Sequence, residues 1–554
     1  MKRRTAIKGI TATAAALWLA KVAEAAQVSN PIVRGEGIAA GKFKPTWDSL
    51  KQYEVPNWFK DAKFGMWAHW GPQCQPEHGD WYARGMYQEG SDQYKFHVQK
   101  YGHPSKFGFK DVINEWKAEN WNPEELVGLY KNAGAQYFFA LANHHDNFDL
   151  YKSKYQPNWN STKIGPKKDL IDGWAKAAKK HGMRFGVSVH ASHAWRWYES
   201  AQLADKSGPL AGLPYDGKLT KADGKGKWWD ALDPQELYAQ NHALSTDSQN
   251  PGAIHEQWGW QNGAVAPSKA YCDNFFNRTI ELLDKYEPDL VYFDDTALPL
   301  WPVSDAGLRI AAHMYNSSIK KHKGQLEAVI FGKILDAEQQ KCMVWDIERG
   351  QSNKIEPFIW QTDTCIGQWH YDRRVYDQKR YKSAQTIIHT LVDVVSKNGN
   401  LLVNVPVRGD GTIDEQEKAI VAGITTWMQQ NSECIYATRP WTVFGEGPAM
   451  ENAAPLSAQG FNEGKGKPFT AEDIRFTTKG DILYAIALGT PADGKIRIKN
   501  LSTGNSKYPK SIGRVELVGI KQPLAMERNT DALTVTLPTD RLGQVAYALK
   551  VIPG

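Results

Sequence analysis

The chain has 554 residues, 42% hydrophobic and 23% charged, with a formal charge of +6. That is too long for one ordinary domain and too apolar for a disordered chain, so a barrel-sized unit with a smaller companion is expected. Lys2, Arg3, Arg4, Lys8 and Lys21 against Glu24 put most of the positive charge in the leader, and the balance left, about +2, gives no case for a nucleic-acid binder.

The first residues read MKRRTAIKGITATAAALWLAKVAEAAQ. A twin arginine, Arg3-Arg4, precedes a modest apolar run, and Ala23-Glu24-Ala25 fits a small-x-small cleavage site. Residues 1–25 therefore predict a bacterial export signal of the twin-arginine type. The run at 10–20 is too short to cross a bilayer. A periplasmic or secreted protein with no membrane partner is expected.

From about 60 to 430, eight apolar runs alternate with helical patterns. The runs are FGMWAHW (64–70), AQYFFALANHH (135–145), RFGVSVHAS (184–192), DLVYFDDT (289–296), EAVIFGK (327–333), CMVWDIE (342–348), PFIWQTDT (357–364) and NLLVNVPV (400–407). Helix-like segments follow several of them, at 168–181, 270–285, 305–321, 376–397 and 414–430. Continuous apolar strands separated by helices predict a parallel sheet. Eight of them predict a (β/α)8 barrel of the TIM type over residues 45–445.

Residues 199–268 interrupt the alternation after the third strand. Loops after barrel strands lie on the catalytic face. This insertion is expected either to cover the pocket, with Trp228, Trp229, Trp258 and Trp260 as candidate lining, or to carry a small core of its own. Residues 450–554 change character: DILYAIAL (481–488) and DALTVTL (531–537) are short, and Gly, Asp and Asn turns separate such runs. They predict a C-terminal antiparallel β-sandwich, joined through a Gly- and Pro-containing stretch near 446–468. Five cysteines, with no CxxC pair, give no thiolate metal site.

The strand ends are polar. Strand one ends in His69-Trp70, strand two in Asn143-His144-His145-Asp146, strand three in His190 with His193 nearby, strand four in Asp294-Asp295, and strand six in Asp346-Ile347-Glu348. A buried carboxylate costs several kcal/mol unless something pairs with it, so acids at strand ends imply a site that uses them. Histidines with an aspartate can hold zinc. Against a metal, WAHWG has one histidine where barrel metal sites often have a His-x-His pair, and the adjacent His144-His145 would point in opposite directions on a regular strand. General acid/base isomerisation is neither supported nor excluded. Glycoside hydrolysis needs two carboxylates, one to attack the anomeric carbon and one to protonate the leaving oxygen, and uses all five ends without a metal.

Five blocks also carry a resemblance: WFKDAKFGMWAHWGPQC, GDWYARGMY, AGAQYFFALANHHDNFDLYKSKY, WQTDTCIGQWHYD and SKNGNLLVNVPVRGDGTIDEQE. They closely resemble the α-L-fucosidases of glycoside hydrolase family 29 over almost the whole barrel. The HHD and KNGNLLxN blocks are the most specific. The resemblance implies a retaining exo-hydrolase that releases terminal α-L-fucose from a carbohydrate substrate without a cofactor. It implies Asp294, directly after Phe293, as nucleophile, and Glu348 in VWDIERG as acid/base, with Glu356 in KIEPF as runner-up. His69, His144 and His145 match sugar-hydroxyl ligands. Trp81 matches a sugar contact, Asp80 stands where the family usually has Glu, Trp369 is expected to wall the pocket, and Arg349 to pair with a carboxylate beside Glu348 or in a structural salt bridge.

Two positions depart from that pattern. Asp295 replaces the small residue usual after the nucleophile, and strand three ends in VHASHAW, with His190, where many members carry tyrosines. Fucose presents a methyl at C5, and polar neighbours suit a hydroxyl or charged group better than a methyl. An exo-α-L-galactosidase acting on algal galactan, sulfated or not, is the alternative expectation. A non-catalytic carbohydrate-binding protein and a metal-dependent hydrolase stand behind it.

Overall fold

The computed structural model describes residues 36–450 and 461–554. The predicted export signal and the middle of the predicted joint lie outside the described residues. Eight parallel strands close into a barrel in chain order: β1 (Phe64–Ala68), β2 (Tyr137–Asn143), β3 (Arg184–Val189), β4 (Leu290–Thr296), β5 (Val329–Lys333), β6 (Val344–Glu348), β7 (Trp360–Cys365) and β8 (Gly399–Asn404). Six fall within their apolar runs; β7 runs one residue past its run and β8 begins one residue before.

Six helices form most of the outer ring: α1 (Pro123–Asn132), α2 (Leu170–Lys180), α3 (Lys269–Tyr286), α4 (Ala306–Lys321), α5 (Ala384–Ser396) and α6 (Glu415–Asn431). A short 3-10 turn, Gln339–Lys341, stands between β5 and β6, and no helix among the described residues joins β6 to β7. The helix expected at 376–397 is two. A short one, Arg373–Asp377, ends, and α5 begins anew where the Ser383 side chain accepts from the Thr386 N–H. The N-cap signal overrides the helical pattern that runs through it.

Side chains alternate along each strand, which explains why the runs are apolar throughout. Trp67, Phe139, Tyr292, Phe331, Val344 and Leu402 fill the barrel interior. Met66, Phe138, Val291, Ile330 and Val403 pack outward with the helices. The inward parity continues to the strand ends, where it becomes polar: Trp67 to His69, Tyr292 to Asp294, Phe331 to Lys333, and Val344 to Asp346 and Glu348. A period of two thus lifts four strands' worth of charge onto the catalytic rim.

The C-terminal unit is two antiparallel sheets. One has five strands in the order β13 (Ile512–Leu517), β16 (Tyr547–Pro553), β11 (Ile482–Ala487), β10 (Ile474–Lys479), β9 (Arg439–Glu446). The other has three: β12 (Lys495–Ile498), β15 (Leu533–Thr536) and β14 (Met526–Arg528). Phe476, Leu483, Ile496, Ile498, Val535 and Leu549 from both sheets form one core, so the sandwich is as expected. Its first strand, β9, begins inside the stretch assigned to the barrel on sequence. Pro440 sits in it, which an edge strand tolerates.

The sandwich is fastened to α5 by a buried ion cluster. Asp393 accepts from Arg475 Nε at 2.5 Å and from Lys397 Nζ at 2.5 Å. Burial pushes the Asp393 carboxyl up, but the two cations hold it below its usual range. Removing the acid leaves two cations uncompensated in the interior. Asp393→Ala is expected to lower unfolding stability by about 3–5 kcal/mol, measured by urea denaturation, whereas exchange of the exposed pair Lys176–Asp172 for alanines changes it by less than about 1 kcal/mol.

Candidate active site

A cavity of about 300 Å³ opens at the C-terminal mouth of the barrel, at the small end for ligand pockets and suited to a single sugar ring. Its lining includes Asp294 from β4, Lys333 from β5, Glu348 from β6 and Asp363 from β7. Lys333 Nζ donates to Asp294 Oδ1 at 2.7 Å and also to Glu348 Oε2. Two oxygens that share one ammonium lie no more than about 5.6 Å apart. That separation matches a retaining carboxylate pair and is too short for an inverting one.

The other Asp294 oxygen, Oδ2, takes His145 Nε2 at 3.1 Å and His190 Nδ1 at 3.2 Å. Burial pushes the Asp294 carboxyl up, but the Lys333 ammonium and the two imidazole hydrogen bonds reverse this and hold it well below the usual range. Glu348 goes the other way. Burial raises it, Lys333 opposes, and the charges of Asp363 and Asp294 add to the rise, so that it is pushed up to about 7. One acid ionised and its neighbour protonated below neutral pH is the assignment that double displacement requires.

The histidines are oriented by their outer nitrogens. Gln73 Nε2 donates to His144 Nδ1 at 2.8 Å, which puts the His144 proton on Nε2, toward the pocket. His370 Nδ1 bonds Asp80 Oδ1 at 2.6 Å, which leaves its Nε2 as the acceptor. His145 faces the His190 carbonyl with Nδ1 at 2.8 Å and Asp294 Oδ2 with Nε2 at 3.1 Å. Burial and mutual repulsion hold His69 and His144 well below the ordinary histidine range, so both are neutral. Both ring nitrogens of His69, and Nε2 of His190 and of His370, have no protein partner although buried. Buried polar atoms rarely go unmatched, and sugar hydroxyls supply what these lack. Asn404 ties the wall together: its Oδ1 accepts from the His69 N–H at 2.8 Å, and its Nδ2 donates to the Trp369 carbonyl at 2.9 Å.

Two histidine groups are close enough to be read as metal sites, His69 with Asp80, His144 and His370, and His144 with His145 and His190. In the first group Gln73 Nε2 bonds His144 Nδ1 and Asp80 bonds His370 Nδ1; in the second His145 faces the His190 carbonyl and Asp294.

Residues 33–433 match the family model described as alpha-L-fucosidase, and residues 467–552 match the alpha-L-fucosidase C-terminal domain. The chain belongs to the alpha-L-fucosidase family. The tissue alpha-L-fucosidase of Bos taurus is 26% identical over 90% of this chain and 87% of its own length. That of Homo sapiens is 25% identical over 90% of this chain and 88% of its own. Among solved structures, the Thermotoga maritima alpha-fucosidase in complex with a mechanism-based inhibitor is 25% identical with a TM-score of 0.66. That match covers 92% of this chain and all of the other.

Several fucosidase-type expectations need correction. His144 and His145 do not diverge, because β2 ends at Asn143 and the pair sits in the following turn, ring centroids 4.4 Å apart. Asp295 lines the cavity, but its carboxylate is engaged with Ser192 Oγ at 2.6 Å and His193 Nε2 at 3.0 Å. Glu356 is not at the pocket; it accepts from Ser352 Oγ at 2.5 Å in the β6–β7 loop. Arg349 needs no correction: it makes the structural salt bridge that was one of its two expected roles, to Glu463 at 3.2 Å.

The insertion covers part of the pocket, and its buried Tyr215, Leu237, Tyr238 and Ile254 join the main core instead of forming a separate one. Trp258 and His255 line the pocket, their rings parallel to that of Trp81 at 6.0 and 5.3 Å. Trp260 lies behind, stacked on His193 at 5.2 Å. Trp229 is buried between Lys110 and Lys227, and Trp228 is exposed, with Nε1 on Asp111. Trp369 walls the pocket as expected, 5.5 Å from Trp67.

Lys333, Asp363, His370 and His255 are not among the site residues expected from the sequence, although Asp363 and His370 lie in the WQTDTCIGQWHYD block and Lys333 closes the fifth apolar run. Strand parity would have found Lys333, two residues past the inward Phe331. For Glu348→Gln, kcat/KM on a nitrophenyl α-L-fucoside is expected to fall about 10²–10⁴-fold, and less with a fluoride leaving group. Glu356→Gln changes it less than about threefold, since it touches no reacting atom. The wild-type kcat/KM declines as pH rises through about 7, where Glu348 gives up the proton that the leaving group needs.

Proposed function

We propose that this protein is a retaining exo-α-L-fucosidase in which Asp294 is the nucleophile and Glu348 the acid/base. The observation that carries the reading is the single ammonium of Lys333 joined to both carboxylates. It supports a spacing that admits a covalent intermediate and leaves no room for the water of an inverting mechanism. Asp294 Oδ attacks C1 as the C1–O bond to the aglycone breaks, and the leaving oxygen takes the Glu348 proton. Water then attacks C1 and gives a proton to Glu348, and the C1–O bond to Asp294 breaks with its electron pair returning to the carboxylate. Family membership supports L-fucose as the sugar released.

The galactoside alternative rested on Asp295 and His190. Asp295 is engaged with Ser192 and His193, and the inward nitrogen of His190 with Asp294. Neither brings an uncommitted charge for a sulfate, since burial lowers His190 to about 4 and leaves its free Nε2 neutral. Residues 1–25 support export to the periplasm or beyond, as the site of action on exogenous glycans. No helix among the described residues is long and apolar enough to cross a membrane.

Paired nitrophenyl α-L-fucoside and α-L-galactoside should be turned over with a strong preference for the fucoside; the reverse order overturns the substrate. Proton NMR of the first product should show the α anomer. A 2-fluoro-fucosyl inactivator should esterify Asp294, located by mass spectrometry. Asp294→Asn should lose about 10⁴-fold or more in kcat with the unfolding midpoint little changed, since Lys333 keeps Glu348 as a partner.

A further inference from the structure

We propose that Lys333 is the positioning residue that switches Glu348 from acid to base. Its ammonium is shared between Asp294 and Glu348 in the free enzyme and passes wholly to Glu348 when Asp294 becomes an ester. This rests on the assignment of Asp294 and Glu348 above and explains how one glutamate serves two opposite steps.

The geometry is specific. Lys333 is 7% exposed and has the two catalytic carboxylates as its hydrogen-bond partners. The groups that face this trio come from every neighbouring strand. His190 lies on the β3 side, Tyr292 on β4, with its ring 5.4 Å from Nζ, Asp346 on β6 and Asp363 on β7. Arg349 follows Glu348 but is turned to Glu463. Asp346 is buried and accepts from Gln361 Nε2 at 2.9 Å; Asp363 is buried with neither oxygen hydrogen-bonded. Burial pushes both of these carboxyls up, and the Lys333 ammonium opposes the rise.

The backbone holds Lys333 in place. Its carbonyl accepts the Ala297 N–H at 2.9 Å. Ile334, next in the chain, is β-branched at φ 54°, a conformation that persists only where surroundings impose it.

In the free enzyme the ammonium is divided, and the Asp294 charge repels ionised Glu348. The proton stays on Glu348 and is available to the aglycone. Esterification of Asp294 removes that repulsion and one of the two claims on Lys333. Glu348 then feels a full cation and one anion fewer, and releases its proton more readily. It is left as the base that the second step needs, where water loses a proton to it and C1 moves from Asp294 to the water oxygen. No other cation among the described residues touches both carboxylates.

The test uses the full chain with Lys333→Met, Lys333→Gln and Lys333→Arg. In each, the 2-fluoro-fucosyl enzyme is trapped and its reactivation by water is timed. The Glu348 carboxyl is titrated by 13C NMR before and after trapping. In the wild type the titration midpoint should drop by at least about one pH unit on trapping. In Lys333→Met and Lys333→Gln the drop should shrink and reactivation slow about 10–100-fold. Lys333→Arg should restore most of both.

Equal drops and equal reactivation rates in the wild type and the neutral variants overturn the proposal, even if the variants are less stable. If one neutral variant does not fold, the other carries the comparison, and Lys333→Arg behaving like the surviving neutral variant also overturns it. Failure of the wild type to label at Asp294 instead overturns the catalytic assignment beneath it.

Discussion

Two carboxylates and one ammonium share the rim of the barrel, and the rest of the pocket is arranged around that charge balance. Taking any of the three ions from water is costly, and their attraction offsets the cost only with close geometry and with every remaining lone pair satisfied. Asp294 meets that condition with Lys333 on one oxygen and two imidazoles on the other. Glu348 meets it only in part, and so keeps a proton near neutrality. The difference between two chemically similar acids comes from what each one faces.

A second shell keeps this balance in place. Asp295, at the edge of the cavity, bonds the Ser192 hydroxyl and the His193 ring. His193 in turn stacks on Trp258 at 3.8 Å. The acid that follows the nucleophile therefore braces the 190–193 turn and, through it, the tryptophan that closes the pocket. Gln73, Asp80 and Asn404 do comparable work for His144, His370 and His69. Orientation is built one layer behind the surface that a sugar touches.

Much of the fold was legible because barrel strands buried on both faces read as unbroken apolar runs, and all eight were visible that way. The strand ends were legible too, since charge at the end of a buried run has few explanations. What escaped was parity. Inward positions 290 and 292 lead to Asp294; 329 and 331 lead to Lys333. The sequence contains that count, but it needs the interior face to be known. The His144-His145 pair escaped for the opposite reason: parity was applied past the point where β2 stops. Fates of the insertion tryptophans were not readable, because a loop without regular structure has no period from which a face can be inferred.

The tail of the molecule reaches back to the chemistry through its main chain. The Phe461 N–H binds the Glu348 carbonyl at 3.0 Å, and the Glu463 N–H binds the Arg349 carbonyl at 2.9 Å. The segment that leads into the sandwich thus grips the peptide that bears the proton donor. The β-rich module is consequently no detachable accessory. Damage to its packing, far from any sugar, would register first as a lapse in proton delivery, and shortened versions of the chain inherit that dependence.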